Sequence, residues 1–134
     1  MNKMLMRTRA AVAAAALVLS AGVASAVHVS SCEQLITDLI GTAQTVQLSG
    51  KKAAKDLTGL TTTLEAASAT LAVGKPCDSV KKLEDFKVKV DQLIAADRFI
   101  SGEGPSGEEL IAQADTAIAC INSEVAAGGG SCSF

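Results

Sequence analysis

The chain has 134 residues, 49% hydrophobic but only 2% aromatic, with four Cys, one His, no Trp and no Tyr. Twelve Lys and Arg face fourteen Asp and Glu, a formal charge of −2. This length leaves room for one small domain, which excludes multidomain enzymes and repeat arrays. The lone His and scarce aromatics weigh against most catalytic and stacking-based binding chemistries.

Residues 1–26 read as an export signal. Lys3, Arg7 and Arg9 make a cationic start, Ala10 to Leu19 is apolar, and Ala24-Ser25-Ala26 offers the small residues a signal peptidase accepts. A membrane anchor needs about 20 apolar residues. The run from Ala10 to Ala26 is 17 residues, mostly Ala, and broken by Ser20, Gly22 and Ser25. Cleavage after Ala26 leaves 108 residues. No later stretch is long and apolar enough to span a bilayer, so a secreted or periplasmic product is expected. Val29-Ser30-Ser31-Cys32 faintly resembles a lipoprotein cleavage box. His28 and Ser31 fit that box poorly, and acylating Cys32 would leave an odd number of Cys, so a lipid anchor there is disfavoured. Without Lys3, Arg7 and Arg9, nine basic residues face fourteen acidic ones, a charge of −5. An acidic chain with no basic stripe in its sequence argues against nucleic acid and against anionic lipid surfaces.

Four helices follow. Ser31-Cys32-Glu33-Gln34 fits a capping box, and Leu35, Ile36, Leu39, Ile40, Ala43 and Val46 recur behind it at helical spacing, predicting a helix over 31–48. A second, over 51–73, carries Ala54, Leu57, Leu60, Leu64, Ala67 and Leu71 on one face, with a kink expected near Gly59 and the Thr61–Thr63 run. Gly74 suits a left-handed cap, with Pro76 beyond it. The third, over 76–96, buries Val80, Leu83, Phe86, Val90, Leu93 and Ile94. After a loop with two Gly and a Pro, Ser106-Gly107-Glu108-Glu109 forms a second capping box, opening a helix over 107–126 that buries Leu110, Ile111, Ala114, Ala117, Ile118 and Ile121. Residues 128–134 are a Gly-rich tail. Short connections make successive helices antiparallel, so the fold class is all-α, an up-down four-helix bundle over 27–127. Leu, Ile, Val and Phe make up 28 of the 108 residues, above the range of disordered chains. A bundle this small is still marginal on burial alone.

Four Cys in an exported chain of this size imply two disulfides, with three formal pairings. Up-down topology gathers Cys32, Cys77, Cys120 and Cys132 at one end. Cys77–Cys120 would clamp the hairpin of helices three and four, and Cys32–Cys132 would tie the tail to helix one; these pairings are favoured. Spacings of 45, 43 and 12 residues and the lack of a C-x-x-C motif speak against metal or thiol chemistry.

No catalytic constellation emerges. His28 lies two residues past the expected cut, a poor mount for a base that needs exact placement. No nucleophile elbow or phosphate-cradling Gly loop is present. Glu84-Asp85 and Glu108-Glu109 are sequence neighbours that do not share a helix face. Glu103, Glu108 and Glu109 bracket the Gly/Pro loop, but without the spacing of a calcium-binding loop. Neither metal nor cofactor is expected. Phe99-Ile100, just past helix three, is the candidate exposed apolar pair, read first as a plug closing the bundle and second as a partner contact.

The stretch from Ser79 to Val90, leading through Gly107 to Ile121, together with Leu57-x-x-Leu60, Leu64, Ala67, Leu71 and Gly74-Lys75, resembles the FIMAH-type helical module over about residues 53–123. Such modules accompany secreted and surface-associated bacterial hydrolases. The resemblance lies in core packing and carries over no catalytic residue. The chain departs from it by adding helix one and four Cys. The resulting expectation is a non-enzymatic exported interaction module that binds or positions an extracytoplasmic protein or an envelope or matrix component. A disulfide-stapled inhibitor of an extracellular hydrolase and a carrier of apolar ligands are the alternatives.

Overall fold

The computed structural model describes residues 31–132; the predicted export signal, His28 and Phe134 lie outside them. Four helices account for most of this span: α1 (31–44), α2 (Ala53–Ala72), α3 (Pro76–Ala95) and α4 (Gly107–Ala127). Among the described residues there is no strand, only an isolated antiparallel bridge between Leu48 and Phe99. The architecture is the expected all-α bundle. Helix α3 is its spine, packing against both α2 and α4.

Helix α1 is helical from Ser31 on, the expected first residue, so Ser31 lies within the helix rather than capping it. At its other end the helix stops short of 48. The amides of Thr45 and Val46 fall back to the carbonyls of Thr42 and Ala43, and the chain is then drawn towards the α3–α4 connection. Ile100 N donates to Gln47 O at 3.1 Å, and Ser49 N to Arg98 O at 2.8 Å. A long-range pairing has outcompeted the local periodicity of Val46 and Leu48.

Helix α2 is unbroken across Gly59 and the Thr run. The hydroxyls of Thr58, Thr61 and Thr63 donate to the carbonyls of Ala54, Leu57 and Gly59, one turn back. These residues thus satisfy their side chains without breaking the ladder. The helix closes on Gly74, at φ 82°, with Gly74 N bonded to Leu71 O and Lys75 N to Thr70 O, a Schellman motif. Helix α4 closes in the same way at Gly129 and opens on Ser106, whose hydroxyl accepts from Glu109 N at 3.1 Å, as the capping box predicts.

The buried set is almost wholly apolar. Leu39, Leu64, Phe86 and Leu110, one from each helix, are fully buried. Ser79 is the buried polar residue among those described; it sits where α3 meets α2, and its hydroxyl donates to Ala67 O at 2.8 Å. That bond lets a small polar side chain occupy a close contact without leaving a buried group unsatisfied.

Helix α3 ends differently from its neighbours. The Schellman position is taken by Asp97 at φ 57°, with Asp97 N bonded to Ile94 O and Arg98 N to Leu93 O. A non-glycine residue is strained in this conformation. Asp97→Gly is therefore expected to stabilise the protein by about 0.5–1 kcal/mol, read as a higher midpoint in urea with unchanged slope.

Candidate functional site

All four sulfurs meet at the pole where α1 and α3 begin, but the pairing differs from expectation. The bonds are Cys32–Cys120 and Cys77–Cys132, with Cα–Cα distances of 5.6 and 5.2 Å, not Cys77–Cys120 and Cys32–Cys132. The reason is which edge of α4 carries Cys120. Asp115 marks the edge facing α3, since Lys87 reaches it from there. Five residues further on, at about 100° per residue, Cys120 lies well round the helix from Asp115. Gln113 and Thr116, two turns and one turn before Cys120, share a cleft with Leu35 and Asp38 of α1. Cys120 thus looks at α1, where Cys32 is buried in the core, and the tail is left to bring Cys132 to Cys77.

At the opposite pole Phe99 and Ile100 divide the roles considered for them. Phe99 is half-buried and packs on the core. With Ile94 it closes over Gly107, where an added Cβ would come within 2.9 Å of either side chain. Ile100 is 38% exposed and, with Phe99, lines a cleft of about 260 Å³ that also takes in Gly102, Gly104 and Glu108. No group of three or more His, Cys, Asp or Glu side chains among the described residues could hold a metal ion, so Glu103, Glu108 and Glu109 do not assemble one.

A shallow, open groove of about 480 Å³ between α2 and α3 gathers most of its charge from cations. Lys52, just before α2, and Lys55, Asp56 and Gly59 of α2 line one side, Lys89 and Leu93 face them from α3, and Arg98 closes one end. Arg98 is held firmly. Its Nε donates to Ser49 O at 2.6 Å, and its Nη2 lies 2.8 Å from Asp56 Oδ2, an ion pair whose angle falls short of a hydrogen bond. Gly50, at φ 97°, makes room for it, since a Cβ there would sit 3.1 Å from Nη2. Four of the nine cations expected after signal removal thus line one groove of an acidic domain. Neither helix carries a basic stripe by itself. The i, i+3 spacing of Lys52 and Lys55, read with the antiparallel register of α2 and α3, is the signal that would have located it.

No protein-family model, curated protein or solved structure matches the chain. No helix among the described residues is long and apolar enough to cross a membrane.

Two measurements check this geometry. Trypsin alone leaves Cys120 and Cys132 in one peptide, because no Lys or Arg follows Arg98; a second cut after Glu124 separates them. Mass mapping of the unreduced double digest is expected to link the Cys120 peptide to Cys32 and the Cys132 peptide to Cys77. The second concerns Lys87, whose Nζ is 2.6 Å from Asp115 Oδ1 and 3.5 Å from Glu84 Oε1. The hydrogen bond to Asp115 holds its pKa above the ordinary 10.5, with Glu84 adding to the effect and partial burial opposing it. The folded state therefore binds this proton more tightly than the unfolded chain does. Its stabilisation is complete below about 10.5 and fades as pH rises through the higher folded value. Asp115→Asn is expected to bring the Lys87 titration, followed by NMR, back towards 10.5 and to start alkaline unfolding at a lower pH.

Proposed function

We propose that the chain is a non-enzymatic exported helical module that binds or positions an extracytoplasmic macromolecule. The observation that carries this reading is the division between interior and exterior. The interior is occupied by fully buried aliphatic side chains around Phe86, while the chemically distinctive features, the cationic groove and the Phe99–Ile100 cleft, are open to the outside. Such a division suits recognition on an outer face better than chemistry or cargo within. Two disulfides support an oxidising destination beyond the cytoplasm, in line with the export signal at 1–26. The resemblance to FIMAH-type modules spans α2 to α4 and points to an accessory role in the same setting.

The exported protein, unreduced, is the reagent for the test. Its mass is expected to place the mature N-terminus at Val27, and its immobilised form to retain an envelope or matrix macromolecule from the extracytoplasmic fraction. Retention of a hydrolase that loses activity would replace this reading with an inhibitor. Release of a small apolar molecule alone would replace it with a carrier, and retention of nothing would remove it.

A further inference from the structure

We infer that the groove between α2 and α3 receives an acidic peptide segment bearing apolar side chains, a proposal that rests on the interaction-module reading and names the chemistry of its partner. Charge is the first ground. Lys52, Lys55 and Lys89 are exposed around the groove and have no acidic partner among the described residues, whereas Asp56, its one carboxylate, is already opposed by Arg98. Lys52, at the N-cap of α2, and Lys55 in its first turn are like charges beside a helix N-terminus, which itself disfavours cations, and a bound carboxylate relieves this placement.

The second ground is the floor. Leu93 and Ala96 supply apolar surface beneath the lysines, so the site suits a ligand that pairs carboxylates with aliphatic groups. Gly59 keeps that floor open. A Cβ built there meets nothing within 4 Å, so packing does not require glycine, although glycine weakens a helix interior. Gly41 in α1 is equally unobstructed, but it lines none of the clefts described above.

The remaining anionic partners fit less well. A concave groove on a domain of charge −5 is not matched by a flat anionic bilayer, whose field repels the whole molecule. No aromatic side chain lines the groove to stack on a sugar or a base. A narrow acidic peptide meets a lining in which four cations outnumber the one carboxylate.

The test uses the unreduced, isotope-labelled exported protein and a synthetic peptide of alternating glutamate and leucine. The expected result is amide shifts confined to the neighbourhood of Lys52, Gly59, Lys89 and Leu93, with affinity falling as salt is raised. Replacing the glutamates by glutamine, or the leucines by serine, is expected to abolish the shifts. The variant Lys52→Gln/Lys55→Gln/Lys89→Gln is expected to bind about tenfold more weakly with unchanged melting. Gly59→Leu is expected to melt no lower than the parent while losing the peptide, and Gly59→Ala, which fills less of the groove, to melt higher and bind more weakly. Absence of binding, shifts on another face, or equal affinity in the lysine variant would overturn the proposal. So would tighter binding to phosphatidylglycerol vesicles or polygalacturonate than to the peptide. Retention assays with the parent and the lysine variant, run in parallel, separate the two levels of inference. A macromolecule held equally by both leaves the module standing and removes the groove, whereas nothing held by either removes the module, whatever the peptide does.

Discussion

Burial of one face of α3 between α2 and α4 is the constraint on which the rest of this structure depends. With so few aromatics, the chain cannot fill a wide interior, and its helices must come close. Among the described residues Phe86 is the one ring driven fully inside, and small residues are buried along with it: Ala67 and Ser79 where α2 meets α3, and Ala114 and Ala117 on α4. Close approach compensates for short side chains by raising the number of atoms in van der Waals range. It also makes the core intolerant of added volume, as the crowding of Ile94 and Phe99 over Gly107 illustrates.

The two poles of the bundle are closed by different physics. One is closed by sulfur, through bonds from α1 to α4 and from α3 to the tail. The other is closed by polar and apolar contacts: the Leu48–Phe99 bridge, the Phe99 plug, and Arg98 spanning from Ser49 to Asp56. Opening the first pole requires bond cleavage, while the second is held by noncovalent contacts alone. The groove begins beside this second pole and shares Arg98 and Asp56 with it, so whatever binds there also steadies that end.

Much of this was legible in the sequence because it is local. The 3.6-residue recurrence of Leu60, Leu64, Ala67 and Leu71, the Gly74 cap and the Ser106–Glu109 box each depend on residues within a turn or two of one another, and α2, α3 and α4 follow to within two residues. What was not legible depends on distant partners. Val46 and Leu48 read as helix because nothing nearby shows that residues 47–49 will pair with 98–100. Asp97 gives no local sign of its left-handed backbone. The cysteines could be brought to one pole by topology, but choosing partners needed the edge of α4 that faces each neighbour, which is set by how tightly the helices rotate into contact. The groove was hidden for the same reason, since its lysines come from two helices and converge only once the register between them is fixed.

The order of the sulfur bonds along the chain has one more result. Cys32 joins Cys120 and Cys77 joins Cys132, so the two loops interlock instead of one enclosing the other. In this arrangement one peptide-bond scission in each of any two of the three intervals between successive cysteines still leaves a single covalent body. The enclosing arrangement would fall into two pieces after scissions in the first and last intervals. The molecule thereby survives nicking of its loops as one covalent body.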